Sequence, residues 1–269
     1  MRKQKTPGEK DKKGKHTVLF ILLALILVLI LFVVINANRN VKAMNSCADA
    51  VLDELKKTYT LTPIDVGNYK ELKIYGIMKF DVEQYDIEGL GNLSIMRMNM
   101  GLMQMSTVVI TPRDKNMPLL STDFMYILSN RKAYMEFYDV VPEMDDTYQQ
   151  LLSSLKGVLD NYSQLADVET TPAWYAPLLT VTAYKGGKPA DDADIQGMLV
   201  DCVQVYLEHA RKLPVLSQEA QADKLTLTVE YTDGLIEKGG ISTDVFKKEL
   251  GEEETKWFFD NIFFGTARN

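Results

Sequence analysis

The pattern of apolar and polar positions is dominated by one unbroken apolar run, Val18 to Ile35, with Thr17 in front of it. At about 1.5 Å of rise per residue the run makes about 27 Å of helix, enough to cross the hydrocarbon core of a bilayer. A cleavable secretory signal has a shorter apolar stretch ending at small residues, which Ile35-Asn36-Ala37-Asn38 does not offer. Cys47 lies too far beyond the run for lipoprotein processing, so the reading is an uncleaved signal anchor. Ala43 to Lys57 keeps apolar residues at helical spacing (Ala43, Cys47, Ala50, Val51, Leu55) and continues the membrane helix as a stalk or docks on the body.

After Pro63 the pattern changes to strands. Leu72 to Phe80, Leu93 to Ile110, Pro118 to Leu128 and Ala133 to Val141 are rich in β-formers, and Ser129 to Lys132 joins the last two as a hairpin. From Asp145 to Ala166 the spacing of Leu151, Leu152, Leu155, Val158, Leu159, Tyr162 and Leu165 is helical, as is that of Ala193 to Leu213, which Pro214 stops. Thr243 to Phe264 reads as helix broken near Gly251, whereas Leu225 to Tyr231 has a strand-like local pattern. Strands early and helices late predict an α+β chain, an α/β/α sandwich on a central antiparallel sheet. The predicted organisation is a basic tail (1–16), a transmembrane helix (17–37), a stalk or linker helix (38–66) and one domain (67–269).

Charge sharpens this picture. Seven Lys or Arg against Glu9 and Asp11 give residues 1–16 a charge of +5, and the chain total of −7 leaves −12 on the rest. A body of that sign repels phosphate backbones, so nucleic acid is set aside as a partner, and the partner that the apolar run implies is the lipid bilayer. Only Arg39 and Lys42 follow the apolar run closely, so the positive-inside rule puts the N-terminus in the cytoplasm and the body outside, on a single-pass cell-membrane protein. Cys47 and Cys202 are too few for a disulfide framework.

Candidate chemistry is sparse. There is no Walker lysine loop, and Gly89-Leu90-Gly91 lacks the third glycine of a dinucleotide turn. His16 and His209 assemble neither a metal cluster nor a triad, which leaves carboxylates and tyrosines for proton work. Asp123 interrupts the apolar pattern of a strand. It is either a strand-end Asp bonded to a neighbouring turn or a carboxyl whose burial raises its pKa and makes it a proton donor. Met96, Met98, Met100, Met103 and Met105 form either plain core or the lining of an adaptable pocket. Glu136 and Asp139 fall on opposite strand faces.

Three segments together resemble the ferredoxin-dependent bilin reductases and their relative, red chlorophyll catabolite reductase. They are Met117-Pro118-Leu119-Leu120-Ser121-Thr122-Asp123 with the following Tyr138-Asp139, then Pro172-Ala173-Trp174, and then Ser242 to Phe264 with Val245-Phe246, Leu250-Gly251 and Trp257-Phe258. The resemblance implies a linear tetrapyrrole held between sheet and C-terminal helices, a one-electron donor whose identity is unknown, no flavin or metal cofactor, and helix at Leu225 to Tyr231. Asp123 matches the sheet Asp that protonates the bilin, and Asn99, Ser106 and Trp174 would shape the pocket. Met105 or Ser106 stands where many members have His, Asn99 where they have a sheet Glu, and Gly239-Gly240 near their second Asp. Two functions follow: an oxidoreductase using Asp123, or a non-catalytic binding or envelope-interaction module that keeps the fold without the catalytic set.

Overall fold

The computed structural model describes the backbone of residues 7–240 and 243–267, with side chains from residue 16 onward. Residues 1–6 of the basic tail lie outside the described residues, as does Ser242, and the backbone of the rest of the tail belongs to the first helix. The first helix, α1 (Pro7–Lys56), runs 50 residues without a break. Its stretch Val18–Ile35 is solvent-facing on nearly all sides, and it is long and apolar enough to cross a membrane. Its last four turns behave differently. Asn40, Met44, Cys47, Ala48, Val51, Leu52 and Leu55 are buried, so the segment that continues the apolar stretch docks on the body.

The body is built on nine antiparallel strands: β1 (Leu61–Ile64), β2 (Glu71–Ile74), β3 (Met78–Ile87), β4 (Gly91–Asn99), β5 (Met103–Pro112), β6 (Leu119–Ile127), β7 (Asn130–Tyr138), β8 (Ala166–Asp167) and β9 (Leu179–Gly187). Their order is β1-β3-β4-β5-β6-β7-β9-β8, with β2 also beside β3. Two runs expected as single strands are hairpins. Tyr75 (φ 52°) and Gly76 (φ 68°) reverse the chain between β2 and β3, and Gly101 (φ 73°) does so between β4 and β5. Only left-handed backbone closes such short turns, and glycine adopts it at no steric cost.

Helices cover both faces. On one, α1, α2 (Asp146–Asp160) and α3 (Asp192–Lys212) pack on alternate strand residues such as Leu93, Ile95, Val108, Leu120, Phe124, Met135 and Phe137. On the other, α4 (Gln218–Lys238), α5 (Thr243–Leu250) and α6 (Glu252–Phe258), followed by a π turn at Phe259–Phe263, pack on Phe80, Val82, Met96, Met98, Val109 and Tyr138. The architecture is the expected α/β/α sandwich.

The strand-like stretch Leu225–Tyr231 is inside α4. Ser217 caps that helix by accepting from the Ala220 N–H at 3.2 Å. Thr226 and Thr228 bond their hydroxyls to the carbonyls of Ala222 and Lys224 one turn back, which satisfies β-branched residues within a helix. Both cysteines are buried free thiols. Burial, the largest cause, pushes the Cys47 thiol up to about 11 and that of Cys202 up to about 12.

An ion pair, its arginine fully enclosed, ties the start of α3 to strand β7. Arg131 of β7 is enclosed and donates to both carboxylate oxygens of Asp192 at the start of α3, at 2.6 and 3.2 Å. Removing one partner strands the other charge in a dry site. Asp192→Ala is therefore expected to cost about 3 kcal/mol, read as a lowered denaturation midpoint in detergent, while Asp192→Asn costs less because it keeps an acceptor.

Candidate functional site

The site is assembled by strand register. Asp123 of β6 lies opposite Thr107 of β5 and Tyr134 of β7, which in turn lies opposite Tyr184 of β9. One pair further along, Ser121 lies opposite Glu136, and Glu136 opposite Thr182. Because side chains alternate, all of these share the face that carries α4–α6. Those helices pack over the β2–β5 side, and Ser121, Asp123, Met125, Tyr134, Glu136 and Tyr184 keep part of their surface open. The result is a shelf of sheet beside a wall of helix.

Asp123 is crowded by protein atoms yet partly accessible to water. Burial raises its carboxyl pKa to about 6, the negative charge of Glu136 adds to the rise, and a hydrogen bond donated by the Thr107 hydroxyl opposes it. Glu136 is held by two phenols, Tyr138 donating at 2.5 Å and Tyr184 at 2.8 Å. Burial pushes both of those phenols upward, so they stay protonated donors.

At the end of the shelf farther from α1's apolar stretch stands an aromatic wall. Tyr138 and Tyr231 lie 4.7 Å apart between ring centroids, Tyr138 and Tyr175 5.7 Å, and Trp174 and Tyr175 5.4 Å. Trp174 donates its indole N–H to the Gly239 carbonyl at 2.8 Å and lies flush against Gly234, where a Cβ would come within 2.3 Å of the ring. Gly234 is what lets the tryptophan approach α4. Met103, Met105 and Met125 line the opposite end of the shelf, half-buried, while Met96 and Met98 are core.

The residues named from the sequence are thus divided. Asp123 and Trp174 stand on the same side of the sheet. Asn99 and Ser106 do not: Ser106 is paired with Arg97 and Phe124, whose side chains point to the α1 face, and Asn99 closes the β4–β5 turn by accepting from the Gly101 N–H and the Gln104 side chain. Neither reaches Asp123, because one position along a strand reverses the side-chain direction. Asp139 lies past the end of β7, facing Tyr148 of α2, away from Glu136. Glu136, Tyr134, Tyr184, Tyr175 and Tyr231 are the additions. The alternation Tyr134-Glu136-Tyr138, once the β6–β7 hairpin turn is fixed, was the signal for the first of these.

Two hollows lie elsewhere. One at the distal end is lined by Asn92, Arg113, Lys224 and Phe264, and one on the flank of α1 by Asn38, Asp49 and Gln196. The ground around Asp123 is an open shelf. Among the described residues no group of His, Cys, Asp and Glu is arranged to hold a metal ion.

No protein-family model matches the sequence, and no curated protein does. The fold is similar to that of phytochromobilin synthase from tomato, solved in complex with biliverdin: the TM-score is 0.65 at 14% identity, over 81% of this chain and 82% of that one. The relation to a bilin reductase is thereby shown at the level of the fold.

The Asp123 environment has a measurable consequence. A carboxyl whose folded pKa exceeds its unfolded value near 3.9 holds a proton that the unfolded chain has lost, between about pH 4 and pH 6. Its favourable contribution is complete below that window and is lost as pH rises through 6. Asp123→Asn, which keeps an acceptor for Thr107, is expected to match the parent near pH 4 and to be more stable by about 1–2 kcal/mol at pH 7, measured by thermal unfolding across that range.

Proposed function

We propose that the shelf binds a long, flat ligand of the linear-tetrapyrrole class, that α1 anchors the body to a membrane, and that Asp123 supplies a proton during reduction of the ligand. The observation that carries the reading is the place of Asp123: a carboxyl with a pKa near 6, on the helix-facing side of a sheet whose fold is that of a biliverdin-bound protein. A proton donor works best when its pKa lies near the working pH. A flat apolar ligand laid over the shelf would dehydrate Asp123 further and hold it protonated.

The chemistry balances with an external one-electron donor. Each two-electron reduction of a double bond consumes two electrons from that donor and two protons, one from Asp123 and one from water, and Asp123 regains its proton through its open side. Glu136, fixed by Tyr138 and Tyr184, accepts from pyrrole N–H groups. Trp174 belongs to this proposal as part of the wall that ends the shelf, and Asn99 and Ser106 drop out of it because they face the other way. The excess of basic residues before the apolar run supports an N-terminus in the cytoplasm and a body on the outer face of the cell membrane.

Titration of the full chain in detergent with biliverdin is expected to shift and sharpen the visible absorption of the bilin. No spectral change at a large excess removes the tetrapyrrole reading. With a chemical one-electron donor, new bands are expected, and Asp123→Asn is expected to bind equally but to form them more slowly by about 10²-fold. Binding without any new bands, in parent and variant alike, identifies a non-catalytic binding module.

A further inference from the structure

The turns of the sheet are unevenly apolar. The β6–β7 turn (Leu128 and Ser129), the β4–β5 turn (100–102) and the segment after β9 all lie at one end, since Ile127 pairs with Met103 and Asn130, and Arg131 with Gly187. Leu102 is 52% exposed and Ile127 38% exposed, whereas most large apolar residues of the body are covered. The Leu128 N–H donates to the Leu102 carbonyl at 3.2 Å, so the two turns form one surface.

That surface is pinned to α1 where the helix leaves its apolar stretch. Arg39 donates to the Pro189 carbonyl at 2.9 Å and Asn40 to the Leu128 carbonyl at 3.0 Å. Four to five residues separate these pins from Ile35, about 6–8 Å along the helix. The headgroup layer on each side of a bilayer core has a similar thickness. Arg39, Lys132 and Lys188 stand at this end, while the acids Asp191 and Asp192 there are engaged with the Lys188 N–H and with Arg131. Apolar tips ringed by cations suit a lipid headgroup layer.

We infer that the body does not stand off from the bilayer on a stalk but rests on it, with Leu102 and Ile127 seated in the interfacial layer of the membrane that α1 crosses. The inference rests on the anchoring reading of α1. It also turns the methionine end of the shelf, Met103, Met105 and Met125, toward the lipid surface, and the aromatic wall away from it.

The test uses the full chain reconstituted in vesicles of zwitterionic and anionic phospholipid, carrying one environment-sensitive fluorophore at a time on Leu102→Cys, Ile127→Cys, Leu27→Cys or the distal Val215→Cys. The unsubstituted chain, whose two cysteines are buried, gives the blank. Labels at 102 and 127 are expected to emit to the blue of the label at 215 and to be quenched by lipids spin-labelled near the headgroup, while the label at 27 is quenched by lipids labelled deep in the chain. Water-like emission at 102 and 127 with a deeply quenched 27 overturns the seated body and leaves the anchor intact. Water-like emission at 27 as well overturns the anchor, and the seated body with it.

Discussion

The docking of the last turns of α1 into the sheet is the constraint on which the remaining geometry depends. Ala48, Val51 and Leu55 are essentially without exposed surface, and Ala48 has only a methyl group to hold the helix away from the strands. Burial of six such apolar side chains contributes on the order of 10 kcal/mol, comparable to the whole stability of a domain. Polar contacts then fix the rotation of the helix. Arg97 of β4 binds Asp49 at 2.9 Å, and Ser46 and Gln196 exchange hydrogen bonds at 3.1 and 3.2 Å. A helix held this way is not a tether. It is a core element that extends, in one direction, as an apolar rod.

With one face of the sheet committed to α1, α2 and α3, the other is free to be less uniform. There α4–α6 pack over the early strands and leave β6, β7 and β9 partly bare. The local sequence follows that division: the α1 face of β6 carries Leu120, Thr122, Phe124 and Tyr126, and the opposite face carries Ser121, Asp123 and Met125. A carboxyl is tolerable on the second face because Thr107 donates to it and water still reaches it. Glu136 is tolerable nearby because two phenols satisfy it.

Much of this was legible in the sequence. The apolar run, the amphipathic periods of α2 and α3, the break at Gly251 and the early-strand, late-helix order all follow from patterns that a single chain displays. The partners of Asp123 did not. The β5–β6 connection spans six residues, and a slip of one position there exchanges Thr107 for Ser106 and one face of the sheet for the other. The family resemblance sets Ser106 and Asn99 beside a carboxyl they do not face, and local pattern cannot fix the register that would correct it. The hairpins at Tyr75-Gly76 and Gly101 were hidden for a related reason: methionine and tyrosine read as strand formers even when one of them occupies the turn. In α4, capping by Ser217 and hydroxyl bonding by its threonines override a strand-like string.

Two titratable side chains deep in the second face invite comparison. Lys224 donates to the carbonyls of Met117 at 2.7 Å and Val140 at 3.1 Å, and burial, set against the attraction of Asp139, lowers its pKa to about 7. It joins the chain before β6 to the chain after β7 with helix α4, and that structural duty accounts for its place. Asp123 has one side-chain donor, Thr107, on a neighbouring strand that the backbone ladder already holds, and has a pKa displaced in the direction that weakens the fold at neutral pH. An Asn or Thr there would satisfy the same neighbour at no such cost. Groups that lower stability without a structural return are those whose reason lies in what they meet from outside. By that criterion the open shelf, rather than the hollow beside Lys224, is the ground on which the proposed chemistry rests.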